Sequence, residues 1–153
     1  MTLHDGARRF ETGMIHRPSM VAFLRSLRWI RREVGIERAW QRSLHLATAF
    51  RARLESLDGV EIVTPATQAS PLVSFDLPAF SPAKLHSAAL LLAERDRIVC
   101  RSIDHPPFAL RGAFGFFNTE QEVECFAEAI EALVAAGPEA VPLAGHAERL
   151  GNR

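Results

Sequence analysis

Arg111 is the residue whose type and setting could best do chemistry, and that chemistry is the binding of a carboxylate. In the predicted strand "FALRGAF", alternation places Leu110 and Gly112 on one face, and Arg111 between Ala109 and Ala113 on the other. Small neighbours leave a hollow above a planar, permanently charged guanidinium, which binds a carboxylate bidentately. The pattern also fits a surface arginine on a half-exposed sheet, or one paired with a glutamate, and exposed arginines are the commoner case.

Two further residues are candidates for substrate binding beside Arg111. Arg101, in the preceding predicted strand "RIVCRSI", would assist Arg111 if both face the same side of the sheet, and a surface ion pair is the equal alternative. His105, in the short loop "DHPPF", lies near Arg111 in sequence and could reach a substrate. A lone loop histidine is more often simply exposed to solvent.

The lysine and the cysteines limit the covalent chemistry that the chain could perform. Lys84 is the only lysine among eighteen basic residues, and its place in "SPAKLHSAALL" predicts a solvated helix residue. Cys100 and Cys125 are far apart, form no CxxC pair and are each predicted to be small buried residues. The six histidines have no metal-ligand spacing, so a zinc site is not expected.

The elements that must position these residues follow the order α-α-β-β-α-β-β-α. This order predicts an α+β fold, in which helices cover a small antiparallel or mixed sheet of about four strands. The first two helices are expected at Pro18–Val34 and Glu37–Leu57, the latter with a buried stripe of Trp40, Leu44, Ala47, Leu54 and Leu57. Ser81 with Pro82, and Thr119 with Glu122, predict the starts of the third and fourth helices, and the last helix has Val123, Phe126, Ile130 and Leu133 as its buried stripe.

Composition bounds the class of protein. The chain has 153 residues, 48% of them hydrophobic, which suits one domain with a real core. Eighteen basic residues balance eighteen acidic ones, so no general affinity for nucleic acid or anionic membrane is expected. Without a signal peptide or an apolar span, the sequence predicts a soluble cytoplasmic protein. Residues 137–153, rich in Gly, Pro and Ala, are predicted to be a loosely held tail.

Two blocks resemble the class V, fold-type I pyridoxal-phosphate enzymes. "ALRGAFGFFNTEQEVECF" is similar to their C-terminal motif, and "ARRFETGM", at Ala7–Met14, is similar to their Arg-Arg-Phe-Glu-x-Gly-Thr segment. This superfamily includes aminotransferases, isopenicillin-N-epimerase-like proteins, cysteine desulfurases and selenocysteine lyases. The resemblance covers roughly Ala7 to Val134. It implies that Arg111 holds the α-carboxylate of an amino-acid substrate, and that the backbone amides of Gly13 and Met14 lie near the phosphate of the partner subunit's cofactor.

The resemblance also implies parts that this sequence lacks. In the family, a larger N-terminal domain carries most of the pyridoxal 5'-phosphate site and a Schiff-base lysine upstream of the "RRFE" block, where this sequence has no lysine. Met14 replaces a threonine whose hydroxyl reaches the phosphate, and the "DHPPF" loop lacks the nucleophilic cysteine of group II desulfurases. The loop therefore favours the aminotransferase, epimerase or C–S lyase types over a persulfide-forming desulfurase.

Two functional hypotheses follow. In the first, residues 1–136 form the small C-terminal domain of a class V enzyme, which needs a large pyridoxal-phosphate domain or a second subunit and is a homodimer when complete. The isolated chain would then lack full catalysis. In the second, the chain is a stand-alone, non-catalytic module that binds an amino acid or another protein. A large exposed apolar face where the N-terminal domain would dock favours the first.

Overall fold

The computed structural model describes Gly6, residues 16–67 and residues 70–144. The "ARRFETGM" segment, with the predicted cofactor-binding residues Gly13 and Met14, lies outside these residues. The chain divides into two compact units with a boundary between Ile36 and Glu37, and each is described separately.

The first unit contains one helix with an exposed apolar side. Helix α1 spans Arg17–Trp29 and continues through a π-helical turn at Ile30–Val34, ending at Gly35 with a φ of 84°. These bounds match the predicted helix, whose proline lies in the first turn and whose glycine follows the last. None of the residues of α1 is buried, and six large apolar side chains are exposed: Met20, Val21, Phe23, Leu24, Leu27 and Trp29.

The second unit holds the sheet. Its elements are helix α2 at Ile36–Glu55, strands β1 at Glu61–Ile62 and β2 at Leu72–Asp76, helix α3 at Pro82–Leu91, strands β3 at Arg101–Ile103 and β4 at Ala109–Ala113, and helix α4 at Glu120–Ala136. A π-helical turn at Leu92–Asp96 extends α3, and a 3-10 turn at Pro138–Ala140 follows α4. The strands lie in the order β1-β2-β4-β3, and every pair is antiparallel. The predicted α+β fold and its element order are confirmed.

One face of the sheet packs against α2, α3 and α4. Val73, Phe75 and Leu110 from the strands share a single buried cluster with residues of all three helices. The rings of Phe50 and Phe126 stack at the centre of this cluster, with their centroids 4.6 Å apart. The helices therefore form one layer, and the face that carries Leu110 is the core face.

The predicted stripe of α2 is wrong in its register. The buried residues are Ser43, Leu46, Ala47, Phe50 and Leu54, which recur at intervals of three and four. Trp40 is 43% exposed, and Leu44 and Leu57 are only half-buried. The predicted stripe passes through Arg51, whose guanidinium instead donates to Glu55 and to the carbonyl of Thr64. Burying that charge would cost more than leaving Trp40 in contact with solvent.

Helix α4 begins as predicted. The hydroxyl of Thr119 accepts a hydrogen bond from the Glu122 amide, and the Glu122 carboxylate accepts one from the Thr119 amide. The Thr119 amide thereby lowers the pKa of Glu122 from its ordinary value. The predicted stripe of Val123, Phe126, Ile130 and Leu133 is buried.

Three side chains depart from the predictions made for them. Lys84 is half-buried, and its Nζ donates to the carbonyl of Val141 at 2.7 Å, so the prediction of a solvated residue is wrong. Cys125 is exposed rather than buried. Cys100 lies just before β3 and is half-buried, and this burial raises the pKa of its thiol to about 11.

The start of the predicted tail contacts α3. Val141 is fully buried, and the Ala144 amide donates to the hydroxyl of Ser87 at 3.1 Å. Residues 145–153 lie outside the described part of the chain, so the loosely held tail remains a prediction there.

Arginines join α2 to α4 across the outside of the helix layer. Both terminal nitrogens of Arg42 donate to the carboxylate of Glu120, and Arg53 contacts Glu124 and Glu131. The hydrogen bond from Arg42 is the main cause that lowers the pKa of Glu120 to about 2 from its ordinary value of 4.5. The ion pair therefore contributes stability above pH 4.5 that is lost as the pH falls towards 2.

Replacing Arg42 with glutamine is expected to remove this acid-dependent contribution. The difference in unfolding free energy between wild type and Arg42→Gln should be largest near neutral pH and should shrink as pH falls through the interval between 4.5 and 2. Urea unfolding at low ionic strength across that interval measures it, because salt screens exposed pairs. Arg38→Gln is the matched control, since Arg38 is an exposed α2 arginine without an ion pair among the described residues. A difference that does not vary with pH would contradict the linkage.

Candidate functional site

The register of the sheet places Ser74, Arg111 and Arg101 in one row across three strands. Arg111 on β4 lies opposite Ser74 on β2 and opposite Arg101 on β3. Residues that lie opposite each other in a sheet share a face. Leu110, one residue before Arg111, lies in the core, so this row occupies the face opposite the helix layer. The predicted alternation of β4 is confirmed by its burial pattern at Leu110, Arg111 and Gly112.

The Arg111 guanidinium is anchored at one nitrogen. Its Nε donates to the hydroxyl of Ser74 at 3.1 Å, and the side chain is half-buried. Ser74 is itself held, because its amide donates to the Thr64 hydroxyl at 2.7 Å. No carboxylate lies within 4.0 Å of Arg111 among the described residues, so the pairing with a glutamate that the sequence left open does not occur there. The two terminal nitrogens remain available to donate hydrogen bonds to a planar anion.

The hollow expected above Arg111 is open on one side only. Ala109 is fully buried, whereas Ala113 is exposed. The open surface therefore lies towards Ala113 and towards the exposed Arg101. Two surface cavities, of about 420 and 520 Å³, lie elsewhere and are not lined by Arg111.

Arg101 and His105 differ in how they relate to Arg111. Arg101 faces the same side as Arg111 and has no ion pair in the described part of the chain, so the sheet brings these two residues together. His105 is exposed in the loop beyond the last strand pair, Ile103 with Ala109, and its Nδ1 lies 3.4 Å from the carbonyl of Pro106. The structure does not bring His105 into the row that holds Arg111.

Ser74 is a site residue that the sequence reasoning missed. It is the polar position between Val73 and Phe75 in "LVSFD", so alternation places it on the face opposite those two apolar residues. Only 7% of it is exposed. A polar residue within an otherwise apolar strand could have indicated a partner for another polar side chain. The sequence does not show that β2 pairs with β4, so it could not identify Arg111 as that partner.

Two features behind β4 fix the strand that carries Arg111. A Cβ added at Gly112 would lie 3.0 Å from the ring of Phe126 and 3.2 Å from that of Phe114, so these rings would have to shift by a few tenths of an ångström to admit a side chain. After the strand, the Asn118 side chain accepts from the Gly115 amide at 2.8 Å and donates to Glu122, while its carbonyl accepts from Arg42. The strand, α4 and α2 are thus joined through Asn118.

The described residues carry no other feature of a reactive centre. No group of three histidine, cysteine, aspartate or glutamate side chains among them is placed to hold a metal ion. None of the helices in the described ranges is long and apolar enough to span a bilayer.

The family model described as Aminotransferase class-V matches residues 1–126. The chain belongs to the class V aminotransferase family. The match includes Arg101, Arg111 and the Asn118–Glu122 cap, so the residues of this site lie inside the part of the chain that defines the family.

The relatives that this chain matches are much longer than the chain itself. A probable cysteine desulfurase from Methanothermobacter thermautotrophicus is 22% identical in an alignment 148 positions long, which covers 88% of this chain and 36% of that protein. The apo cysteine desulfurase from Thermococcus onnurineus NA1 superposes with a TM-score of 0.71 at 26% identity, over 88% of this chain and 35% of that one. The chain therefore spans about a third of the relatives that it matches.

A third relative is a lyase. The cystine C–S lyase C-DES, solved with its product cysteine persulfide, superposes with a TM-score of 0.66 at 26% identity, over 84% of this chain and 32% of the lyase. A mutant of C-DES carries glycine covalently linked to the pyridoxal-phosphate cofactor.

Proposed function

We propose that this chain is the small C-terminal domain of a class V pyridoxal-phosphate enzyme acting on an amino acid, and that Arg111 positions the substrate carboxylate. The observation that carries the proposal is the Arg111 side chain, anchored by Ser74 and without an anionic partner among the described residues. An arginine that is fixed at Nε presents its two terminal nitrogens in one plane, which matches the two oxygens of a carboxylate.

Positioning is the contribution that these residues make to catalysis. Holding the carboxylate fixes one end of the substrate, so that its Cα meets the reactive group in a constant orientation. The cofactor, when bound, supplies the electron sink for chemistry at Cα.

The described residues fit the substrate carboxylate but not the covalent attachment of the cofactor. Lys84, the only lysine, lies on α3 and donates to the Val141 carbonyl. Helix α3 packs on the core face, where His86 contacts Ser102 at 2.9 Å, whereas Arg111 faces the other side of the sheet. We therefore place the pyridoxal 5'-phosphate site mainly on a separate polypeptide region, with Gly13 and Met14 contributing to it as the sequence resemblance implies.

The proposed partner is a large pyridoxal-phosphate domain or a second subunit. The length of the relatives supports it, because about two thirds of each has no counterpart in this chain. The exposed apolar side chains of α1 also support it. A helix with several large apolar side chains in contact with water is typical of a surface that another protein or domain covers, and on α1 these include Met20, Phe23, Leu24 and Leu27. A homodimer is proposed for the complete enzyme.

We favour an aminotransferase, epimerase or C–S lyase over a persulfide-forming desulfurase, although two of the relatives are named desulfurases. Residues 104–108 between β3 and β4 contain no cysteine. The nearest one, Cys100, has a thiol pKa of about 11, so the thiolate that attacks sulfur is scarce at neutral pH. The non-catalytic module remains the second hypothesis, and it predicts the same carboxylate binding without a partner.

Carboxylate binding at Arg111 is tested by titrating the full chain with L-alanine and following the arginine Nε–H signals by NMR. The Arg111 signal is expected to shift saturably, and Arg111→Lys should weaken binding about tenfold, because an ammonium keeps the charge but loses the paired hydrogen bonds. L-alaninamide, which has no carboxylate, is the ligand control. Arg38→Lys is the protein control. The proposal would be contradicted if wild type and Arg111→Lys bound L-alanine with equal affinity, or if the Arg111 signal did not shift on addition of L-alanine.

A further inference from the structure

Arg101 and Arg111 form a pair of like charges that the chain leaves uncompensated. They lie directly opposite each other on β3 and β4, and like charges at opposite positions destabilise a sheet. Three of the four arginines of α2 behave differently: Arg42, Arg51 and Arg53 each contact a carboxylate, whereas Arg38 has no ion pair among the described residues. The chain has as many acidic as basic residues, yet no carboxylate of the described residues forms an ion pair with either arginine of the sheet.

None of the acidic residues that sequence and strand register place near this row forms an ion pair with its arginines among the described residues. Asp76 lies two positions beyond Ser74 on the same face of β2, and its Oδ1 accepts a hydrogen bond from the Leu77 amide. Glu61, opposite Asp76 on the edge strand β1, and Asp104, after β3, form no ion pair among the described residues. The row of Ser74, Arg111 and Arg101 is therefore a locally cationic strip.

The two arginines are held differently. The Arg111 side chain is half-buried and anchored to Ser74. The Arg101 side chain is exposed and forms no hydrogen bond in the described part of the chain. A fixed cation suits the group that every amino acid shares, the α-carboxylate. An exposed cation whose side chain is not anchored suits a group whose distance varies with the length of a substrate side chain, because a long arginine side chain has several rotamers that could reach it.

We propose that Arg101 is a specificity residue and that the preferred substrate is an amino acid with an acidic side chain. Arg111 binds the α-carboxylate, and Arg101 binds the side-chain carboxylate across the strand pair. The proposal rests on the proposed function, because it assigns the second anion relative to the first. It gives the unpaired Arg101 a partner and relieves the repulsion between the two guanidinium groups when the substrate is bound.

Matched ligands test this assignment on the full chain. L-aspartate and L-asparagine have nearly the same shape and differ in one charge, as do L-glutamate and L-glutamine. Wild type is expected to bind the acidic member of each pair about 2–5-fold more tightly at low salt, the range for one exposed ion pair. Arg101→Gln should bring the affinities for the acidic and neutral member of each pair to the same value, whereas Arg111→Gln should weaken all four ligands.

The controls separate a specific site from general charge. Arg97→Gln removes an exposed arginine outside the row and should leave the preference as in wild type. Sulfate that competes as well as L-aspartate would overturn the assignment to an acidic amino acid. So would a preference for L-aspartate that survives Arg101→Gln.

The failure of this inference is distinguishable from failure of the proposed function. Equal binding of L-aspartate and L-asparagine, with both depending on Arg111, would reject the role of Arg101 and retain Arg111 as the carboxylate site. Absence of Arg111-dependent binding for all four ligands would reject both.

Discussion

Truncation of Phe50 to alanine is expected to destabilise the second unit by about 3–5 kcal/mol, the range for a large buried aromatic side chain. Phe50 is fully buried, and its ring contacts three others: Phe126 stacked at 4.6 Å, Phe114 tilted at 4.9 Å and Phe75 edge-on at 5.8 Å. The ring joins α2 to the sheet and to α4, so a cavity at this position has no single neighbour that could fill it. The loss comprises both the burial of the ring and its contacts with the other rings.

Urea unfolding followed by circular dichroism measures this effect. A loss of that size is a large share of the about 5–15 kcal/mol that stabilises a typical domain, so part of the protein is expected to be unfolded without urea. Phe50→Leu keeps most of the volume and should lose much less, which keeps the measurement possible if the alanine variant does not fold. Phe117→Ala is the matched control, because Phe117 is 75% exposed. A loss below about 1 kcal/mol for Phe50→Ala would contradict the proposed centre of the core.

The second large effect is an absence of covalent cofactor attachment at Lys84. When the full chain is mixed with equimolar pyridoxal phosphate and reduced with borohydride, we expect no stoichiometric phosphopyridoxyl adduct on Lys84 by mass spectrometry and no cofactor band in the visible spectrum. A lysine must present a free amine to the aldehyde, and Nζ of Lys84 is held by the Val141 carbonyl at 2.7 Å. It also lies on the helix layer, away from Arg111.

Lys84→Arg provides the control for this experiment. Wild type and Lys84→Arg should give the same low yield of adduct, because the remaining reactive amine in both is the N-terminal one. A stoichiometric adduct that disappears in Lys84→Arg would contradict the proposal that a separate polypeptide region attaches the cofactor. The chain would then bind the cofactor covalently without a partner.

Local patterns predicted most of the fold because the features that decide it are local. The hydroxyl of Thr119 and the carboxylate of Glu122 satisfy their helix end within one turn, so their spacing alone identifies it. The alternation around Arg111 is similarly local, and it placed the side chain on the correct face. The two errors of periodicity were avoidable: Arg51 interrupts the stripe predicted for α2, and at about 100° per residue Cys125 lies about 160° from Val123 and about 100° from Phe126 around α4.

What could not be predicted depends on contacts that are distant in sequence. Ser74 reaches Arg111 over 37 positions, and Lys84 reaches Val141 over 57. Neither contact has a spacing that a sequence would show, since both follow from how β2, β4 and α3 are arranged in space. The sequence also left open whether Arg111 pairs with a carboxylate. The arrangement of the strands shows no such pair among the described residues.

Asn118 has a consequence for how sequences of this family are interpreted. Its side chain and carbonyl join the end of β4 to the first turn of α4 and to Arg42, and all of these contacts are between parts of the scaffold. A descendant that had lost every catalytic duty would still be stabilised by Asn118, Thr119 and Glu122. The "NTEQE" block therefore reports on the architecture, whereas under the function proposed above the basic residues at positions 101 and 111 report on substrate binding.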